Sequence, residues 1–306
     1  MRFRLALLPF SLLLALTNPL RSEDDLPLVT SGLDGLPEIA FADLSQQDLN
    51  PLGAKALALH PEQWKHGETE HFIYHFTRGF VATSVSIEAE FHYRVVAKTL
   101  EREQPPGETK SHIYIFDKSE DWAEFQTMGQ LEKWTGGIHS RGSLFIKRDP
   151  TFKFAGNTLG HEISHLVMHR FYSEGIPTWL DEGFAEYVSK GARASYQRAR
   201  GYISKPRSQS IAVEDLIPLP ALVAFTSPPS DRVEVFYDQS ERLVRFLVAT
   251  DKPTFLTLLD ALGKHQPFDK AFLRIYAGRF ASPSVFEERF REYASKDASP
   301  QDADNG

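Results

Sequence analysis

The chain has 306 residues, 34 basic against 41 acidic side chains and a formal charge of −7, with 42% hydrophobic and 25% charged residues. That composition excludes the disordered and collagenous classes and leaves ample apolar surface for a core. A pI near 5.9 without a basic cluster argues against nucleic acid as a partner, and zero cysteines exclude disulfides, thiol catalysis and thiolate metal sites, so any metal must be held by the 11 histidines and the carboxylates.

In chain order, Met1 to Arg4 is a short basic stretch and Leu5 to Leu16 an apolar run. The run is shorter than the ~20 residues of a bilayer span, and the pattern is that of a secretory signal peptide over residues 1–22. Ala15-Leu16-Thr17 offers the best cleavage site; an uncleaved anchor, or a helix packed on the domain, are the alternatives. Export to a bacterial periplasm or exterior is the expectation, with membrane contact only if the segment stays attached. Residues 23–60 lack sustained periodicity and read as a linker or pro-segment, and 297–306 as a polar, frayed tail. Between them a single domain is expected over 61–296, with a sheet-containing half (61–175) and a helical half (176–296).

Phe72 to Phe76 and His112 to Phe116 are aromatic and β-branched and predict strands. Ile87, Phe91 and Val95 recur every fourth residue and predict an amphipathic helix from Phe80 to Glu103. A short helix is expected over Asp121 to Met128, and a hairpin or bent edge strand over Gly136 to Lys147. From Thr158 onward the pattern predicts helices near 157–172, 178–190, 233–250, 253–263, 267–277 and 284–296. Strands first and helices later describe an α+β domain with helices segregated behind a small mixed sheet.

The helix after Asn157 contains His161-Glu162-Ile163-Ser164-His165. Residues four apart lie one above the other on a helix, so both imidazoles face one point, the geometry of two zinc ligands. Glu162 sits beside them as a base for water at the metal. A third ligand has two candidates. His169 continues the stripe, but a helix rises about 6 Å over four residues, which makes it a surface or second-layer residue. Glu182, 17 residues after His165, lies on the first turns of the next helix, within Pro177-Thr178-Trp179-Leu180-Asp181-Glu182-Gly183-Phe184-Ala185-Glu186-Tyr187.

His161-Glu162-x-x-His165 followed by Trp179-Leu180-Asp181-Glu182-Gly183-Phe184-Ala185 resembles the gluzincin metallopeptidases. It is most similar to the bacterial peptidase-MA-like group and more distantly to the M1 aminopeptidases with their W-L-x-E-G-F-A segment. The resemblance covers roughly residues 70 to 290 and implies a zincin-like α+β fold, a zinc ion held by His161, His165 and Glu182, and a peptide or protein substrate. M1 enzymes place the third ligand two residues further on, so the connecting loop here is shorter. In these families a Tyr at the start of a later helix stabilises the oxyanion, and Tyr237 is the matching position; the other reading of Tyr237 is a core aromatic with a satisfied hydroxyl.

Glu186, one turn after Glu182, is placed either to orient a ligand imidazole or as a solvated carboxylate. Asp181 is expected to point elsewhere and to charge the helix N-terminus. In zincins a strand before the zinc helix pairs with substrate, here expected at Gly142 to Lys147. M1 aminopeptidases carry a Glu in a G-x-M-E-N motif there, whereas no acidic residue occurs from Gly136 to Arg148, which favours internal cleavage. An inactive zinc-stabilised scaffold of the same fold and a hydrolase of non-peptide amides or esters are the alternatives; retention of Glu162 and Tyr237 argues against the first.

Overall fold

The computed structural model describes residues 35–102, 109–131, 135–148, 158–172, 175–199 and 211–298. The expected signal peptide at residues 1–22 lies outside the described residues, as does the tail beyond Ala298. In chain order the elements are α1 (Pro51–Ala58), β1 (Lys65–Glu68), β2 (Phe72–Phe76), α2 (Gly79–Leu100), β3 (Ser111–Phe116), α3 (Ser119–Gly129), β4 (Gly137–Ser140), β5 (Ser143–Lys147), α4 (Thr158–Phe171), α5 (Thr178–Ala199), α6 (Leu219–Ala224), α7 (Val233–Leu262), α8 (Phe268–Ile275) and α9 (Pro283–Ala298). The small N-terminal sheet followed by a largely helical remainder is the α+β arrangement expected.

The strands form one mixed sheet in the order β1-β2-β3-β5-β4. Neighbours β2, β3 and β5 run parallel, and β1 and β4 pair antiparallel at the two edges. Side chains alternate between faces along each strand. Ile113, Ile115, Leu144 and Ile146 enter the main core with α2 and α4, while Tyr114, Phe116 and Phe145 enter a second cluster with Trp122 and Phe125 of α3. Helices therefore cover both faces rather than standing behind one. Large apolar and aromatic residues pointing to both faces of β3 and β5 require this, because a face left open would expose Tyr114 and Phe145.

Part of the cover on the second face comes from the stretch read as linker or pro-segment. Asn50 caps α1, its side-chain oxygen accepting the Gly53 N–H at 2.7 Å, and Pro51 occupies the first helical position. Ala56 and Leu59 are buried against the second cluster, and Ile39 bridges to His66 of β1. Residues 35–60 are thus packed structure.

Arg141 and Gly142 join β4 to β5, with φ of 47° and 75°. Positive φ at both central residues is the turn whose twist matches a tight hairpin, so the expected hairpin forms here. In the helical half, α5 packs against both α4 and α7, and α8 and α9 lie on α7. The expected helices at 233–250 and 253–263 are two arms of α7, bent at Asp251, whose Oδ1 accepts the Thr254 N–H at 3.1 Å. One apolar cluster runs from Phe72 on the sheet to Ala294 on α9. The layer α4-α5-α7 is what positions the site.

Candidate metal centre

α4 turns two faces to two environments. Leu159, Ile163, Leu166 and Val167 are buried in the main core, while His161, Glu162, His165 and His169 line a cleft. α5 starts directly after Pro177, whose carbonyl accepts the N–H groups of Leu180 and Asp181. Trp179, Leu180, Phe184 and Ala185 bury the far face of α5, which leaves Asp181, Glu182 and Glu186 directed at α4.

The two helices bring the expected residues together. His161 Nε2 lies 3.0 Å from His165 Nε2. Glu182 Oε2 lies 3.3 Å from the first and 3.4 Å from the second. Ligand atoms of His161, His165 and Glu182 all fall within 4.8 Å of one another, a spacing one metal ion can bridge. Among the described residues Glu182 Oε2 is buried with no hydrogen-bond donor aligned on it, although two imidazole nitrogens face it. A buried carboxylate oxygen without a donor is costly, and a cation among two nitrogens and one oxygen relieves it. The donor set therefore fits a divalent metal with an open position toward the cleft.

A second layer holds these groups in place. Glu186 Oε1 sits 3.1 Å from His161 Nδ1, and its other oxygen pairs with Lys190 at 2.8 Å. Asp181 Oδ1 lies 3.0 Å from His165 Nδ1 and Oδ2 lies 2.9 Å from His169 Nε2. Asp181 thus does not point elsewhere, as its place on the helix suggested. α5 packs alongside α4 with its chain reversed, so Asp181, Glu182 and Glu186 meet His169, His165 and His161 in turn along one histidine row. His169 is half-buried and fastened to Asp181 one turn beyond the His161 pair, which is the second-layer place expected of it. His165, His169 and Asp181 form a further group whose spacing could hold an ion.

The charges are strongly coupled. Burial works to lower the His161 pKa, but the carboxylates of Glu182 and Glu186 outweigh it and push the ring up to about 9. His165 goes the same way, burial being overcome by Asp181 and Glu182. In return, burial would raise Glu182 and Glu186, but the facing imidazoles hold both down at about 2. Asp181 is likewise held well below the usual carboxylate range against its burial, by His165 and His169. Without an ion the cluster stores protons on its imidazoles; an ion must displace them. Glu162 behaves differently. Burial raises its pKa, and this outweighs the nearby imidazoles and the His139 backbone N–H it accepts. A carboxyl with a raised pKa can take up and release a proton near neutral pH more readily than an ordinary one.

Tyr237, on the first turn of α7, lines the same cleft, its ring centroid 6.3 Å from that of His161. Burial and the Glu182, Glu186 and Glu162 charges hold its phenol protonated far above neutral pH, which keeps it a donor.

The cleft has a volume of about 620 Å3, and its outer wall is β4 together with Thr135 and Gly136. The strand expected to meet a substrate, Gly142 to Lys147, is instead interior, because β5 is paired on both sides. The free edge belongs to β4. Lys147 N–H donates to Gly136 C=O, and ladder partners alternate along an antiparallel pair, so Gly137 and His139 direct their backbone groups outward to the cleft. His139 was not singled out from the sequence, and its alternation with Gly137 is the only signal that marks it.

Comparison with known proteins places most of the chain in one family. The family model described as the peptidase MA superfamily matches residues 98–292. A search of curated proteins finds no match.

Proposed function

The chain belongs to the peptidase MA superfamily, and we propose that it is a zinc-dependent peptidase that cuts within chains. The observation that carries this reading is the convergence of His161, His165 and Glu182 at the floor of a cleft that also holds Glu162 and Tyr237. Two imidazoles and a carboxylate are the donor set of hydrolytic zinc sites, and the superfamily is generally one of zinc metallopeptidases.

Zinc bound here supplies Lewis acidity toward a substrate carbonyl and toward water. Glu162 accepts the proton of the attacking water and delivers it to the leaving amine, a shuttle for which its raised pKa suits it. Tyr237 donates its hydroxyl hydrogen to the oxyanion, an interaction stronger in the transition state than in the ground state. Asp181 and Glu186 orient the imidazoles of His165 and His161 and fix which nitrogen faces the metal. An extended peptide adds to the open edge of β4 through the backbone of Gly137 and the carbonyl of His139, whose N–H is held by Glu162. Neither β4 nor β5 carries an acidic residue to bind a free amine, which favours internal cleavage.

Export is part of the proposal and rests on the basic-then-apolar N-terminus. Among the described residues no helix is long and apolar enough to cross a membrane. The test is hydrolysis of casein or a peptide library by zinc-loaded chain, with and without chelator. Cleavage that stops with chelator and returns with zinc is expected. Stoichiometric zinc without cleavage of any peptide would point instead to an inactive scaffold.

A further inference from the structure

A second cavity, of about 580 Å3, adjoins the metal cleft. The two share His139 and His169 in their walls, whose rings meet edge to face with centroids 5.5 Å apart. One trough therefore runs past the metal site along β4 and α4, over a sill made by these two rings, toward the β4–β5 turn.

Its two ends differ in charge. The metal end is lined by Glu162, Asp181, Glu182 and Glu186. The far end is lined by Lys110, Arg141 and Arg170, against the single carboxylate of Asp48. Arg170 is held in place, donating to Ser111 Oγ at 2.6 Å and lying over the Tyr93 ring at 5.3 Å. Lys110 is 3.4 Å from Glu68. Arg141 is different: it is exposed at the hairpin tip, its backbone has φ of 47°, and it has no hydrogen bond or ion pair among the described residues. His112, 6% exposed, closes the floor, and burial pushes its pKa down to about 4, so it adds no charge at neutral pH.

The spacing is that of a substrate subsite. Arg170 follows His165 by five residues, or about 7.5 Å along the helix, and Arg141 follows His139 by two, or about 6.6 Å along the strand, spans that an extended peptide covers in two to three residues at ~3.3 Å each. We propose that this cavity receives a substrate carboxylate two to three residues from the scissile bond, with Arg141 as the group left uncommitted to bind it and Lys110 and Arg170 as the surrounding positive field. The proposal deepens, and rests on, the peptidase reading above. The carboxylate is either an acidic side chain or the terminal carboxylate of the substrate, which share the chemistry a guanidinium recognises.

The test uses the full zinc-loaded chain and matched fluorogenic peptides. One set places Glu or Gln two and three residues to either side of the cleaved bond; another has free or amidated C-termini. A kcat/KM ratio of acidic over neutral peptide of about tenfold is expected, falling toward one in Arg141→Glu and at high ionic strength. Preference within the first set assigns a side chain and keeps internal cleavage; preference within the second assigns a chain terminus and replaces internal cleavage by release of a C-terminal di- or tripeptide. A ratio near one in the wild type, or a ratio unchanged in Arg141→Glu, overturns the proposal. The same pairs are titrated onto Glu162→Gln by fluorescence anisotropy. Tighter binding of the acidic peptide, lost when Arg141→Glu is added, upholds the subsite even if no peptide is hydrolysed, a failure that would fall on the peptidase reading alone. Equal binding of both peptides would overturn the subsite whatever the turnover.

Discussion

Gly183 rests on the backbone of Ser240: a Cβ at Gly183 would lie 2.4 Å from the Ser240 carbonyl oxygen. The contact lets α5 and α7 approach more closely than any side chain permits. Glu182 precedes Gly183 and Tyr237 lies one turn before Ser240, so the same crossing sets the ligand carboxylate against the phenol. Gly183→Ala should force the helices apart, costing about 1–3 kcal/mol of stability, and should lower zinc affinity and turnover together. Urea unfolding and zinc titration of this variant check it; unaltered stability and affinity would show that the crossing does not position the site.

Ligand and orienting carboxylates should separate cleanly. Glu182→Ala removes a donor and should abolish stoichiometric zinc binding. Asp181→Asn and Glu186→Gln keep the donors but loosen His165 and His161, and should weaken zinc by about 10–100-fold. Competition against a fluorescent chelator reads all three. Wild-type affinity in Glu182→Ala would assign the third ligand elsewhere, and equal losses in all three would remove the distinction between the layers.

Tyr237→Phe deletes one hydroxyl at the cleft. If that hydroxyl serves the transition state, kcat should fall by about a hundredfold with little change in KM. A rise in KM at constant kcat would make Tyr237 a binding residue, and no change in either would return it to a packing role.

Acid sensitivity should follow from buried neutral histidines. His92 is buried with its ring packed against Gly160, its Nδ1 has no hydrogen-bond partner among the described residues, and burial lowers its pKa to about 4. A folded pKa below the unfolded value of 6.5 means the unfolded chain binds more protons between the two, so stability is full above pH 6.5 and is lost as pH falls toward 4. At pH 4 the loss from His92 is about 3 kcal/mol. The difference in unfolding free energy between pH 7 and pH 4, measured in chelator, should shrink by that amount in His92→Phe. An unchanged difference would mean that His92 titrates normally.

The grouping of the candidate site's residues was largely legible because its information is local. The spacing of His161 and His165 on a helix and the short segment around Glu182 need only helical periodicity to be placed. What was not legible depends on chain elements far apart. Asp181 adjoins Glu182 by about 100° on the helix wheel, and only the close side-by-side packing of α5 on α4 brings both to the histidines. Strand order likewise is not written in sequence order: β5 is inserted between β3 and β4, so the later strand is interior and the earlier one is the free edge. β1, with the polar sequence Lys65-His66-Gly67-Glu68, looks unlike a strand because it lies at the edge of the sheet, bridged on its outer side to Ile39. α1 could have been found. Asn50-Pro51 is a helix-start signal, overlooked because the eight residues after it are too few to establish a period.

The central claim is that one zinc ion at His161, His165 and Glu182 drives hydrolysis through Glu162. Metal-stripped chain and its Glu162→Gln variant are titrated with zinc while cleavage of a fluorogenic peptide is followed. Activity of the wild type should rise to a plateau at one zinc per chain, and the variant should bind zinc equally while its turnover falls by at least about a hundredfold. Peptide cleavage by the metal-stripped chain, or full activity in Glu162→Gln, would contradict the account.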